Sequence, residues 1–243
     1  VVLRADRDEA RVRTWPGRPG TAQLVLVDHS RPPHPLALSS WVADLVDRGY
    51  VEVRTGAVTS EVAARFERVG FRPIQHLVLL RLDLDRVDLG RPDRRRRVLA
   101  GASDLALASS IDRAAFGSEW GLDAAGIHDA CDATPHHRAR FALAEGGVAV
   151  GYAVTGRSSR RGFLQRLAVH PDHQRTGTGR ALVLDGLRWL RRWRATEALV
   201  NTHHDNVAAL ELYDRIGFVR LDESLTVLGR VLTASSGRPA EVG

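Results

Sequence analysis

The sequence predicts an α/β protein built from two unequal copies of one strand and helix pattern, and three observations carry that expectation. The stretch Phe163 to Arg180, FLQRLAVHPDHQRTGTGR, reads as a short apolar strand, a glycine turn and the start of an apolar-periodic helix. Phe66-Glu67-Arg68-Val69-Gly70-Phe71 matches Tyr213-Asp214-Arg215-Ile216-Gly217-Phe218, and setting Phe71 against Phe218 gives an offset of 147 residues. The same offset pairs Val53-Arg54-Thr55 with Val200-Asn201-Thr202, each at the end of an expected strand.

In chain order, the first copy is expected to hold a strand at Gln23 to Val27, a helix near Leu36 to Arg48 and a strand at Val51 to Arg54. A helix at Ser60 to Val69 and a strand at Gln75 to Leu82 complete it. Its counterpart of the glycine turn, Arg31 to Pro35, carries three prolines, which remove N–H donors, and no glycine. Thr59 stands opposite Asn206, and Phe66, without a hydroxyl, opposite Tyr213. The first copy therefore reads as a truncated, non-binding relative of the second. Gly and Pro between Asp85 and Pro92 suggest a linker, so the expected division is 1–90, 91–232 and a small polar tail, 233–243, expected to be disordered.

The second copy is expected to open with a strand near Arg96 to Ala100 and a helix from Leu105 to Ala115 capped by Ser103-Asp104. Phe116 to His137 reads as irregular. Strands at Ala139 to Ala144 and Ala149 to Thr155 flank the turn Glu145-Gly146-Gly147. After the glycine turn, a helix from Arg180 to Trp193 should bury Leu182, Trp189, Leu190 and Trp193 and expose its arginines. A strand at Ala198 to Asn201, a helix at Asn206 to Ile216 and a strand pair within Phe218 to Leu232 follow.

Composition narrows the function classes. Apolar residues make up 44% and charged residues 26% of the 243, as in a globular protein. No apolar run approaches bilayer length and VVLRADRDEA lacks a signal-peptide core, so a cytoplasmic location is the default expectation. Cys131, the single cysteine, has no partner for an internal disulfide. The net charge of +6 favours polyanionic partners. Clusters at Arg94 to Arg97 and at Arg188, Arg191, Arg192 and Arg194 read as solvated faces, and nucleic acid is set aside because no binding motif accompanies them.

The glycine turn is an anion cradle. Gly177 and Gly179 let backbone approach a ligand, the N–H groups of the following helical turn point the same way, and Arg175 and Arg180 add charge. A Walker-type loop is excluded because the chain has no lysine, and the dinucleotide fingerprint fails because Leu182 stands where its third glycine would fall.

Leu167-Ala168-Val169, Pro171 and Gln174-Arg175-Thr176-Gly177-Thr178-Gly179, with the later Asn206, Tyr213 and Gly217-Phe218, resemble the GNAT superfamily of N-acetyltransferases. The resemblance implies two GNAT-like copies, each a mixed, mostly antiparallel sheet flanked by helices, with a splayed parallel strand pair in the second. It implies acetyl-CoA as co-substrate and direct transfer to an amine, a small molecule or a protein N-terminus. Leu167, Ala168 and Val169 would pair with the pantetheine arm, Gln174 to Arg180 would hold the diphosphate, and Asn206 would add a contact beside its capping role. Tyr213 is the expected general acid; His203 or His204 is the candidate base. Relatives that acetylate ribosomal-protein N-termini carry a Glu at the place of Asn201, which cannot act as a base. Glu145 and Asp123 are lesser candidates. Phe116 and Trp120, with Asp123, would wall the acceptor pocket. No metal is expected, since His136-His137 and His203-His204 lack partners at ligand spacing. A homodimer is compatible with this reading. The alternatives are a non-catalytic acyl-CoA sensor or scaffold and, for substrate, a cysteinyl pseudodisaccharide, as in the tandem mycothiol synthases.

Overall fold

The computed structural model describes residues 1–28, 31–90 and 96–232, so Arg94, Arg95 and the tail from 233 lie outside the described residues. Contacts divide the chain into two units, Val1–Leu77 with the segment from Glu223 onward, and Val78–Asp222. This division departs from the expected cut at 90/91. Residues 78–90 pack in the second unit, and the end of the last strand packs in the first.

The first unit comprises β1 (Val2–Ala5), β2 (Asp8–Trp15), β3 (Arg18–Leu26), α1 (Pro35–Asp47), β4 (Glu52–Thr55), β5 (Val58–Thr59) and α2 (Ser60–Arg68), with the start of β6 (Arg72–Asp83) and the end of β12 (Val219–Val231). Its strand order is β1-β2-β3-β4-β12, and β5 also pairs with β12. β3 and β4 run parallel from Thr21↔Glu52 to Leu24↔Thr55. Trp41, Leu38 and Leu45 of α1 pack with Phe66, Phe71, Leu24 and Leu228 in one core. The β1 and β2 hairpin was not expected. Its inward residues Asp8, Ala10 and Val12 alternate with Glu9, Arg11 and Arg13, and with a carboxylate in the inward set only Ala10 and Val12 mark the period there in the sequence. At the N-terminus of α1, His34 accepts the Leu36 N–H at 3.3 Å and Pro35 brings no donor, so this helix start is closed by its own residues.

The second unit contains β7 (Arg96–Val98), α3 (Ala102–Trp120), α4 (Ala124–Asp132), β8 (His136–Leu143), β9 (Ala149–Ser158), β10 (Arg161–Val169), α5 (Thr178–Arg192), β11 (Glu197–His203) and α6 (Val207–Ile216). Strand order is β6-β11-β10-β9-β8-β7. β10 and β9 are antiparallel, whereas β10 and β11 are parallel. One helix-side core gathers α5, α6 and β11 around Leu187, Leu190, Ala198 and Val200. The other gathers α3 and α4 around Ile111, Ile127, Phe141 and Ala168.

Several local expectations are corrected. The segment 116–137 is not irregular: α3 continues to Trp120 across a kink at Gly117 (φ 72°), and α4 follows. Asp104 is not a side-chain cap. It sits inside the first turn of α3, where it accepts the Ala100 N–H at 2.9 Å and takes Arg97 Nη1 on both oxygens. The described part of the expected linker, 85–90, is packed, with Leu89, and Leu84 just before it, buried in the α5 and α6 core, while 91 and 92 lie outside the described residues. Arg188 and Arg191 of α5 hold it by donating to the carbonyls of Leu89, Gly90 and Val87, so these two arginines are not merely a solvated face. Trp193 is 55% exposed, just beyond α5 with Arg157 over its ring, because the helix ends one residue earlier. The expected strand pair at 218–232 is one strand, β12. No helix among the described residues is long and apolar enough to cross a membrane.

Candidate active site

β10 and β11 pair only at Arg161↔Glu197, Gly162↔Ala198 and Phe163↔Leu199, and then part. The cause lies in β10. Between Leu164 and Arg166 the register with β9 shifts by one residue, a bulge at Gln165 that bends the strand immediately past the last pair. Beyond it, His170 N–H donates to the Val150 carbonyl at 2.8 Å. Backbone groups alternate along a strand, so those of Ala168 also face β9, and those of Leu167 and Val169 face the gap. Val169 O accepts Gln174 Nε2 at 3.1 Å, fastening the start of the glycine turn to the strand end.

Arg175 (φ 59°) and Gly177 (φ 84°) both take left-handed backbone, and Gly177 caps α5 without a side-chain bond. Thr176 Oγ1 donates to His173 O and lies 2.9 Å from Thr178 Oγ1, closing the turn on itself. The first intrahelical bond is Ala181 N–H to Gly177 O at 2.9 Å, which leaves the N–H groups of Thr178, Gly179 and Arg180 without acceptors inside the helix. Nothing lies within 4 Å of where a Cβ on Gly177 would sit. Open space, directed N–H groups, the helix dipole and the exposed Arg175 and Arg180 fit a diphosphate.

Asn206 caps α6, its Oδ1 accepting from Ala209 N–H at 3.2 Å. That cap aims α6 so that Tyr213 enters the core at 4% exposure, its ring 5.4 Å from that of Phe218. Burial raises the phenol above its ordinary range and the charge of Arg166 opposes part of that rise. Tyr213 is therefore a neutral O–H at physiological pH, the form that can give up a proton.

Side-chain faces follow from the pairing. Gly162 points at Leu190 of α5, so its neighbours Arg161 and Phe163 point to the opposite face. Arg161 Nε meets Glu197 Oε1 at 2.6 Å, which puts Glu197 on that face, and Leu199, Asn201 and His203 follow at period two. His203 Nδ1 accepts the Asp205 N–H at 3.2 Å, which occupies one of its two nitrogens, and His204 Nε2 lies 3.0 Å from Asp205 Oδ1. One donor atom from each of His203, His204 and Asp205 falls within 4.8 Å of the others. Asp123 is spent as the cap of α4, accepting the Gly126 N–H at 2.8 Å. Glu145 lies in the exposed turn between β8 and β9. Cys131 is buried, and burial, then the charge of Asp132, pushes its thiol up to about 11, so it is no nucleophile at neutral pH.

Sequence reasoning missed the polar centre of this face. Arg166 of β10 meets Asp112 of α3 through two bonds, Nε to Oδ2 at 2.8 Å and Nη2 to Oδ1 at 2.6 Å. Asp112 is fully buried and also accepts from Tyr152 Oη at 2.6 Å and Leu122 N–H at 2.6 Å. Arg166 Nη2 reaches Trp120 O at 2.9 Å, and its guanidinium lies 3.9 Å from the centre of the Phe116 ring. Burial works against the charge on Arg166, yet the bonds to Asp112 prevail and raise its pKa. An Asp at mid-helix and an Arg in a strand 54 residues later carry no local signal of their partnership.

Known proteins bear on this geometry. Residues 106–218 match the model of the Acetyltransferase (GNAT) family. A mycothiol acetyltransferase of Geodermatophilus obscurus is 46% identical over 54 residues, which are 22% of this chain and 18% of the relative. The ribosomal protein bS18-alanine N-acetyltransferase of Escherichia coli K12 is 32% identical over 78 residues, 32% of this chain and 53% of the relative. The chain thus matches under a fifth of the first relative's length and about half of the second's. Among solved structures, a tandem GNAT protein from the clavulanic acid biosynthesis pathway aligns over 95% of this chain and 81% of its own, with TM-score 0.65 and 13% identity. A GCN5-related N-acetyltransferase from Sphaerobacter thermophilus aligns over 93% and 76%, with TM-score 0.59 and 16% identity. The α/β fold, a mixed sheet flanked by helices, matches these structures, and the match to the Acetyltransferase (GNAT) family model is confined to the region from residue 106 to residue 218.

Proposed function

We propose that this protein is an acetyl-CoA-dependent N-acetyltransferase acting on an amine, either of a small molecule or of a protein N-terminus. The observation that carries the reading is the parting of β10 from β11 before a helix start that has no side-chain cap bond. The first offers backbone N–H groups of Leu167 and Val169 to an acyl-pantetheine arm, and the second offers N–H groups to a diphosphate. In this reading one strand amide polarises the thioester carbonyl. The amine nitrogen attacks the carbonyl carbon, the carbon–sulfur bond breaks, and Tyr213 protonates the departing sulfur. The amine proton passes to His203 or His204, directly or through water. An α-amine, titrating near 8, makes a lighter demand on such a base than an alkyl amine near 10.4.

The first unit is proposed as a degenerate GNAT-like copy. Support comes from its parallel β3 and β4, from α2 and α6 at the 147-residue offset, and from Gly70 and Gly217, both left-handed. The closed start of α1 supports the absence of a cradle there.

Thiol release from acetyl-CoA is to be measured across a panel of amines, including an alanine-starting peptide and a cysteinyl pseudodisaccharide, with Tyr213→Phe beside the wild type. Turnover that drops in the variant is expected. Tight binding of acetyl-CoA without turnover on any amine would favour the acyl-CoA sensor, which the amide Asn201 on the acceptor face keeps as the second reading.

A further inference from the structure

Arg166 is the one arginine of β10 drawn into the α3 and α4 side, and the groups it bonds or covers, Asp112, Trp120 O and the Phe116 ring, belong to α3 rather than to the cradle. We propose that Arg166 is a positioning residue for the acceptor: it ties the strand that receives the thioester to the helix end and loop that wall the amine. The proposal rests on the acetyl-transfer reading above and names a residue which that reading does not require.

The geometry argues for a clamp. Arg166 directly precedes Leu167 in a strand that its ladder with β9 holds in place, so the strand is the fixed end of the clamp and α3 the end it positions. Its guanidinium reaches across to Asp112, Trp120 O and the Phe116 ring, spanning α3 from its middle to its last residue. Asp112 in turn holds Leu122 N–H, and Ser109 Oγ donates to Leu122 O at 3.1 Å, so the turn entering α4 is fixed at both of its backbone groups. Tyr152 Oη, from β9, completes the carboxylate. A guanidinium suits this task because two of its N–H groups lie parallel and a third is turned toward the carbonyl, while its flat face covers an aromatic ring. An ammonium at the same place can supply the charge without that fork. The helix kinks at Gly117, between Phe116 and Trp120, and the clamp closes across that weak point, where an untethered helix end would be free to swing.

The cradle is built apart from this network. Gln174 to Arg180 hang from Val169 O and the start of α5, and none of the bonds made by Arg166 reaches them. Loss of the clamp should therefore separate the two halves of the reaction, leaving coenzyme A binding in place and misplacing the amine.

The test uses the full chain with Arg166→Lys, Arg166→Met and the double variant Arg166→Met/Asp112→Leu, which removes both charges and guards against an unpaired buried carboxylate. Coenzyme A binding by calorimetry is expected to stay within about threefold of wild type, while KM for the best amine of the panel rises about tenfold or more, in Arg166→Lys as well. Unchanged amine KM in a folded variant overturns the proposal; so does an equal loss of coenzyme A affinity, which would mark a global role. If wild type transfers acetyl to no amine, the acetyl-transfer reading fails instead. Hydrogen exchange then decides the clamp alone: exchange within 113–122 should quicken in Arg166→Met while 178–192 stays unchanged, and equal exchange in 113–122 overturns it.

Discussion

The N–H of His170 donates to the carbonyl of Val150 at 2.8 Å, and through the alternation of the strand this bond sets Ala168 toward β9 and Val169 toward the gap. Proline at the two positions should then have opposite consequences. Val169→Pro removes an N–H that no ladder bond uses, so the protein should fold and bind coenzyme A about tenfold more weakly, the worth of one hydrogen bond. Ala168→Pro removes a ladder donor and should lower the melting temperature markedly. Calorimetry and thermal melts of the pair check this, and equal affinity in Val169→Pro would count against the strand as the pantetheine partner.

Tyr213→Phe deletes the proposed acid without leaving a void. Its kcat should fall about 100-fold with coenzyme A affinity retained. Burial raises the phenol, so the protonated form persists above the ordinary value of 10.0. Wild-type activity should accordingly show no alkaline decline from this group below about pH 10.

Gly177 holds φ 84°, where any Cβ is strained whatever the space around it. Gly177→Ala should lose about 1–2 kcal/mol of stability and weaken coenzyme A binding by distorting the first turn of α5. Gly179 differs: a Cβ there would touch Leu212 Cδ2 at 3.5 Å and Val169 Cγ2 at 3.7 Å, both ordinary contacts. Gly179→Ala should melt within a degree or so of wild type, as expected for changes under about 0.5 kcal/mol.

Asp104 is held below the usual carboxylate range, first by the Ala100 N–H and then by Arg97. A lowered folded pKa makes its contribution complete above the unfolded value near 3.9 and lost as pH falls through the folded value. Asp104→Ala should cost about 1 kcal/mol at neutral pH. The gap in melting temperature between variant and wild type should shrink as melts are taken down toward pH 3.

What the sequence made legible was local. A glycine turn before an apolar-periodic run places Gly177 at the cap of α5, and an Asn before another places Asn206 at the cap of α6, because both signals lie within a few residues of the structure they specify. Asp112 and Arg166 were not legible. A buried carboxylate looks like any solvated mid-helix Asp until the fold brings its partner, and the strand Leu164 to Val169 reads as apolar despite the arginine within it. Helix α4 was hidden for another reason: Gly126, His128 and Asp132 are weak helix formers, and packing of Ile127 and Cys131 overrides that preference. Trp193 was misplaced because an apolar period says nothing about where the helix stops.

The extra residue at Gln165 has a wider meaning. Two neighbouring strands that run in step zip together for as long as their register allows, and here the zipper stops after three rungs because one chain carries a surplus link just beyond. A cleft between parallel strands is thus opened by a change in count rather than by any special side chain. Shortening the chain by that link would be expected to seal the fissure while leaving every group that lines it intact.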